Sequence, residues 1–385
     1  MRKIALVNQK GGCGKTTTAV NLAASLAALD RPVLLIDLDP QGHSTLALGT
    51  SDRSGGVTLF DLLCGEKADQ LSIGETTVPV YECLDLVPSD FALSTAEQRL
   101  LDLPLREERL RRKIEELTQP YDFIIIDCPP NLGILTINAL VAANEVIVPL
   151  DPGIYSLQGL TALEKTLTVL RDRLGHSVEE RIVPNRIDRR IKYHRRFIGD
   201  LCDRYPDEIL PVAIRRSVKV TEAASRGRPV LHTARRSGVA EDFKRLAAEV
   251  IGEDFDEMAD EFRLRPVEAL PVEFTLERPG ARMVSVAGTF NNWKPDKTFL
   301  VGPDETGKWH TSIQLTPGEY EYRFIVDGEW MPDPRNPDSV ASPVGGRNSL
   351  VRVDVPRPQP AEESVPLPSS SPRITGQEEV TDYHG

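Results

Sequence analysis

One lysine-rich, glycine-rich stretch combines the residue types that handle phosphate: Asn8-Gln9-Lys10-Gly11-Gly12-Cys13-Gly14-Lys15-Thr16-Thr17, set between the apolar run Ile4 to Val7 and the helix-patterned Ala19 to Leu29. A buried strand, a glycine turn and a helix start aim several free backbone N–H groups at one point, and that point suits a phosphate. The loop backbone of Gly11, Gly12, Cys13, Gly14 and Thr17 would cradle it. Lys15 reaches the outer phosphates as a point charge, and the Thr16 hydroxyl is placed to ligate Mg²⁺. Two further stretches end apolar runs on carboxylates: Val33 to Ile36 leads into Asp37-Leu38-Asp39-Pro40, and Phe123 to Ile126 into Asp127-Cys128-Pro129-Pro130. Acids at the carboxyl ends of parallel strands lie on the rim where α/β sheets bind ligands. An ionisable Asp127 at the end of such a strand must be exposed at that rim or paired.

These residues need a scaffold, and the apolar periodicity supplies one. Strands are expected at 31–38, 84–87, 121–126, 145–150 and 181–184, and helical segments at 58–63, 91–101, 106–117, 156–173 and 237–251. Alternation at this rhythm implies right-handed crossovers and a mostly parallel, doubly wound α/β sheet over residues 1–252. With 385 residues, 40% of them apolar and 27% charged, the chain has room for two or three domains. Composition changes after Asp254. Residues 253–271 read as a linker, its acidic part Glu253 to Glu261 being a linker or a short helix, and 272–353 as short alternating strands divided by Gly, Pro, Asp and Asn, which suits a small all-β sandwich. The Pro/Ser/Glu-rich 354–385 reads as a disordered tail.

No run approaches the length of a membrane-spanning helix, and the chain opens on a strand rather than on a signal segment, so a cytoplasmic protein without membrane attachment is expected. The five cysteines are scattered, with no metal-binding spacing, and read as reduced thiols. The net charge of −12 argues against nucleic acid until its distribution is considered: residues 181–236 hold 15 Lys/Arg against 6 Asp/Glu, a local balance of +9. Clustered basic groups are what phosphate contacts without sequence preference require, although a charge run is also the ordinary make-up of a solvated face.

Lys10-Gly11-Gly12-x-Gly14-Lys15-Thr16 resembles the deviant Walker A box of the ParA/MinD ATPases; the strict pattern would place a glycine at Gln9. The resemblance implies ATP and Mg²⁺ as ligands, with Lys10 reaching across a dimer interface to the partner's nucleotide, hence a homodimer formed on ATP binding. It further implies that Asp39 orients the attacking water and that Asp127 holds the Mg²⁺ hydration shell. Asp37 serves either the metal or the loop. Asn185 matches the adenine-reading Asn, with a turn-forming role as the other reading. The stretch from Pro211 to Ala223 is similar to one in ParA proteins where nucleotide-base contacts and nonspecific DNA contacts lie. That makes Pro211 a nucleotide residue and Arg189, Arg190, Arg215, Arg216 and Lys219 the DNA candidates. The family also implies slow turnover without an activating, ParB-like partner protein, and a nucleoid association.

The carboxyl-terminal domain resembles the glycogen-binding module of AMP-activated kinase β subunits, through Gly288-Thr289-Phe290-Asn291-Asn292-Trp293, Pro317 to Trp330, Asp333-Pro334 and Asn348. The resemblance implies an α-glucan such as glycogen stacked on Trp293 and Trp330, hydrogen-bonded by Arg323 and Asn348, with Val344 inserted into the helical glucan. Two departures are an arginine at the basic position and the small Val344. The tryptophans could instead pack in a core or against a protein. The function expected is a dimerising, DNA-positioning ATPase with an appended carbohydrate or adaptor module. The alternative is a polysaccharide-sensing adaptor that uses the ATPase as a dimerisation switch without DNA.

Overall fold

The structure is a computed structural model that describes residues 1–50, 57–153, 156–267, 269–291, 293–342 and 345–354. Seven strands form the first sheet: β1 (Arg2–Leu6), β2 (Val33–Asp37), β3 (Val78–Tyr81), β4 (Leu84–Val87), β5 (Phe123–Asp127), β6 (Glu145–Leu150) and β7 (Glu179–Pro184). Their spatial order is β3-β4-β2-β5-β1-β6-β7, parallel except for the edge strand β3. β2 and β5 are buried at every position, which is why both read as unbroken apolar runs ending on an acid. Alternate residues face opposite layers. Ala5, Leu34, Ile36, Ile124 and Ile126 pack on one side, and Ile4, Leu6, Val33, Leu35 and Ile125 on the other.

The first layer contains α3 (Leu59–Cys64), α4 (Ala96–Leu101), α5 (Arg109–Glu115), α6 (Ile134–Ala142), α7 (Ser156–Leu174) and α8 (Lys192–Arg204). The second is built on α1 (Lys15–Ala27) with α9 (Val218–Ser225), α10 (Val230–Thr233) and α11 (Gly238–Ile251), and short α2 (His43–Ala47) lies at the rim. The expected helix at 91–101 divides into a 3-10 turn, Phe91–Thr95, and α4. The expected helix at 106–117 forms only over α5.

In the stretch expected as a linker, 253–271, the acidic part forms the short helix that was its other reading, and the chain around it packs on the second layer. After α12 (Phe255–Met258), Phe262 is fully buried in the second layer, the Arg263 N–H donates to the Ala28 carbonyl at 2.6 Å, and Pro266 bridges Tyr81 on β3. Sequence reading weighed the acidic composition of this stretch. Its two buried apolar side chains, Met258 and Phe262, tie it to the second layer of the seven-stranded sheet instead.

The all-β part comprises β8 (Leu270–Glu277), β9 (Val284–Gly288), β10 (Lys308–Leu315), β11 (Gly318–Val326), β12 (Glu329–Met331), β13 (Ser339–Ala341) and β14 (Arg347–Val353). β8 and β10 form one antiparallel sheet, and β9, β11, β12, β13 and β14 the other. Phe274, Leu276 and Trp309 from the first sheet meet Val284, Val286, Tyr322 and Phe324 from the second in a shared core. Residues 355–385, the bulk of the expected tail, lie outside the described residues. Among the described residues no helix is long and apolar enough to cross a membrane.

Candidate nucleotide site and two candidate surfaces

β1 delivers the chain to the glycine loop and α1 takes it away at Lys15. Gly12 and Gly14 adopt φ of 73° and 100°, left-handed values that a side chain resists, and a Cβ on Gly14 would collide with the Asn185 amide. At Gly11 and Gly12 a Cβ would meet nothing within 4 Å, so the inner face of the loop is open. Asn8 shapes its entry: the side-chain amide donates to the Pro149 carbonyl at 2.8 Å, and its oxygen accepts from the Lys10 N–H at 2.9 Å. Lys15 is only 6% exposed, and Cys13 is fully buried.

The two acid-bearing strands are neighbours in register, with Asp37 opposite Asp127. Both carboxylates are fully buried. Asp37 accepts from the backbone N–H and the hydroxyl of Thr45, both at 2.7 Å, through one oxygen, and from the Asp39 N–H at 3.3 Å through the other. Burial, then the Asp127 charge, pushes its pKa up to about 8. Those three bonds hold the loop after β2 against Asp37. Asp127 accepts from Ser44 at 2.8 Å through Oδ2, whereas its buried Oδ1 has no hydrogen-bond partner among the described residues. Burial raises its pKa to about 6, against the opposing pull of the Thr16 and Ser44 hydroxyls and of Lys15. An orphaned carboxylate oxygen beside a lysine and a threonine hydroxyl fits a hard divalent cation with oxygen ligands. Asp39 is 6% exposed; its Oδ1 accepts from the Gln41 N–H at 3.0 Å.

Lys10 does not hang free. Its Nζ lies 2.8 Å from each carboxylate oxygen of Asp151, just beyond the end of β6, and the Ser156 hydroxyl donates to the same carboxylate at 2.7 Å. Burial would raise the Asp151 pKa, but the Lys10 and Ser156 hydrogen bonds outweigh it and hold the carboxyl below its ordinary value. Asn185, at the end of β7, is 2% exposed: its Nδ2 donates to the Cys13 carbonyl at 2.9 Å and its Oδ1 accepts from the Arg186 N–H. These bonds tie the end of β7 to the glycine loop, which keeps the Asn185 amide beside the loop where a nucleotide would lie. Arg186 completes the support by donating to the Gly12 carbonyl at 2.7 Å. Pro211 is exposed and opens on a different groove.

That groove, about 820 Å³, is lined by four of the five DNA candidates, Arg189, Arg190, Arg215 and Arg216. They are not equally available. Arg190 is paired with Asp188 at 2.7 Å, Arg215 with the buried Asp242 at 2.7 Å, and Lys219 with Glu222 at 2.8 Å. Arg189 and Arg216 are exposed and carry no side-chain partner among the described residues. Arg215, whose side chain is exposed, also ties its own loop to α11 through this pair.

On the sandwich, Trp293 and Trp330 stand together with ring centroids 6.2 Å apart and planes 39° apart, and Trp330 is 44% exposed. The Arg323 guanidinium donates to the carbonyls of Gly345 and Arg347 at 2.8 and 2.9 Å, bracing the loop beside them. Asn348 is 2% exposed and donates to Glu321 at 2.7 Å. Val344 lies outside the described residues.

Sequence reading missed Ser44, Thr45, Asp151, Arg186 and Asp242. Each acts through a partner 8 to 174 residues away, a pairing no local spacing encodes.

Residues 1–180 match a family model described as an AAA domain, and residues 270–358 one described as the glycogen recognition site of AMP-activated protein kinase. The chain is similar to the sporulation initiation inhibitor protein Soj of Bacillus subtilis, with 40% identity over 248 residues, 64% of this chain and 97% of that protein. It is similar to the chromosome partitioning protein ParA of Caulobacter vibrioides, with 38% identity over 262 residues, 67% of this chain and 97% of that one. Among solved structures it resembles cobyrinic acid a,c-diamide synthase from Mycobacterium smegmatis with bound ATP analog and magnesium. The TM-score is 0.56 and the identity 30%, over 69% of this chain and 99% of that chain.

Proposed function

The chain belongs to the ParA/Soj family of P-loop ATPases, and from that premise we propose that it dimerises around ATP, binds DNA without sequence preference and lets go after hydrolysis. The observation that carries this reading is Lys10, a second lysine on the phosphate loop, held at the loop's edge by an ion pair with Asp151 rather than buried in the loop. A lysine held by one carboxylate can exchange that partner for a phosphate across an interface.

Each residue then has a task. Lys15 and the backbone N–H groups from Gly11 to Thr17 take the phosphates, and Lys10 neutralises charge developing on the partner's nucleotide. Thr16 and the free oxygen of Asp127 would hold Mg²⁺, which when bound spreads the phosphate charge. Asp39 orients the attacking water. Asn185 and Arg186 fix the loop from behind, and Pro211 lies on the segment expected to face the base. An activating protein of the ParB kind would set the turnover rate. Arg189 and Arg216 are the foremost DNA contacts, with Arg190 and Lys219 available once their surface ion pairs exchange partners. Such pairs are weak enough to yield to phosphate. The protein would then work in the cytoplasm on the nucleoid.

Residues 270–354 are proposed as an α-glucan or adaptor module, supported by the paired tryptophans, whose flat rings suit sugar C–H faces. The same pair favours the second reading, a polysaccharide-sensing adaptor in which nucleotide controls dimerisation and DNA plays no part. Retention of ATP-loaded protein on nonspecific duplex DNA separates the two. The partition reading requires binding at low salt that falls as salt rises, and no retention at low salt leaves the adaptor.

A further inference from the structure

Ser89 lies outside every nucleotide-binding motif, in the turn between β4 and the 3-10 segment Phe91–Thr95. Because β4 runs parallel to β2, with Val87 opposite Ile36, the chain leaving β4 travels beside the chain leaving β2. There the Ser89 hydroxyl donates to the Asp39 carbonyl at 2.6 Å, and the Ser89 N–H donates to the Thr45 hydroxyl at 3.0 Å. Thr45 in turn gives both its donors to Asp37 at 2.7 Å. The Asp39 carbonyl also accepts from the Gly42 N–H at 2.8 Å, and its carboxylate is turned by the Gln41 N–H. The peptide group following Asp39 is thus gripped from both sides, once by its own turn and once by Ser89.

We infer that Ser89 is a positioning residue for ATP hydrolysis, fixing the direction of the Asp39 carboxylate through the Asp39 main chain. The inference rests on the reading of Asp39 as the group that orients water. Removing the hydroxyl leaves the Gly42 bond in place, so the loop still closes but loses one of its two restraints. A water-orienting group tolerates little displacement, whereas ATP binding, which engages the glycine loop, does not depend on the Asp39 carbonyl. A loss at this position therefore falls on kcat and spares KM.

The test uses the full chain. Ser89→Ala should lower kcat for ATP about five- to tenfold, the worth of one neutral hydrogen bond, with KM for ATP and ATP-dependent dimerisation unchanged. Ser89→Thr, which keeps the hydroxyl and meets no Cβ at Gly42, should restore the rate. Asp39→Asn is the control. If it abolishes turnover while Ser89→Ala turns over at the wild-type rate, the inference about Ser89 is wrong and the role of Asp39 stands. If Asp39→Asn hydrolyses ATP normally, the reading of Asp39 fails and this inference with it. A Ser89→Ala protein that loses thermal stability and raises KM together, without rescue by threonine, would show a merely structural residue and overturn the proposal.

Discussion

Replacing Asp151 with Asn removes the charge that holds Lys10 to its own protomer while keeping an acceptor for Ser156. The Lys10 and Asp151 side chains are 30% and 15% exposed and meet at 2.8 Å, so the pair lies between a screened surface contact and a buried one. Such a pair contributes ~1 kcal/mol. If Lys10 must leave Asp151 to enter the partner's site, each protomer forfeits that amount on dimerising. A symmetric dimer forfeits it twice, so Asp151→Asn should favour the ATP-bound dimer by ~2 kcal/mol, about a thirtyfold lower dissociation constant. Sedimentation equilibrium with a non-hydrolysable ATP analogue measures it. The gain should vanish when Lys10→Ala is added, because no lysine remains to be released. The sign of the pH effect follows from the depressed Asp151 pKa: the hold on Lys10 is present at neutral pH and lost only as pH falls through the folded-state value. A dimer unchanged or weakened by Asp151→Asn refutes the idea that Asp151 competes with the interface.

Arg215→Ala should cost ~2 kcal/mol of stability by leaving the buried Asp242 with only the backbone N–H of residue 215, read as a fall in denaturation midpoint; an unchanged midpoint would show that the guanidinium does not hold its loop to α11. Arg189→Ala and Arg216→Ala should leave stability alone and each reduce the slope of log affinity for DNA against log salt by about 0.9 per protomer, and slopes equal to wild type exclude them as phosphate contacts. Trp293→Ala and Trp330→Ala should each release the protein from immobilised glycogen; retention equal to wild type removes the stacking claim. Glu180, on β7, has its pKa pushed up to about 7, by burial first and then by Glu164 and Glu208. A carboxyl with a raised folded-state pKa withdraws stability as pH rises through that value, so the melting temperature should fall from mildly acid to mildly basic pH, and Glu180→Gln should flatten the curve. An identical slope in the variant assigns the effect elsewhere.

What could be read in advance was whatever a residue type does by itself. Glycines that permit left-handed backbone, a lysine and a threonine at a helix start, and acids closing apolar runs announce a phosphate site because each constraint is local. β5 and β6 were legible for the same reason, since strands buried on both faces leave no polar positions inside. Partner choice was not legible. Asp151 meets Lys10 because β6 lies beside β1 in the sheet, and Ser89 meets Asp39 because β4 lies beside β2. Nor was it legible that Asn185 and Asn348 are both 2% exposed, because burial of a polar side chain depends on the neighbours that tertiary packing brings. The edge strand β3, which carries Pro79 and is only partly buried, and the three-residue β12 and β13 have too little apolar pattern to be read as strands.

The central claim, that this phosphate loop is a nucleotide-controlled dimerisation switch, rests on Lys10. Sedimentation of wild-type and Lys10→Ala protein with Mg²⁺ and a non-hydrolysable ATP analogue tests it most directly, alongside nucleotide binding by the monomer. The account predicts a wild-type dimer that forms only with the triphosphate, and a Lys10→Ala protein that binds nucleotide yet stays monomeric. Equal dimerisation of the two proteins would contradict it and leave an ordinary phosphate loop.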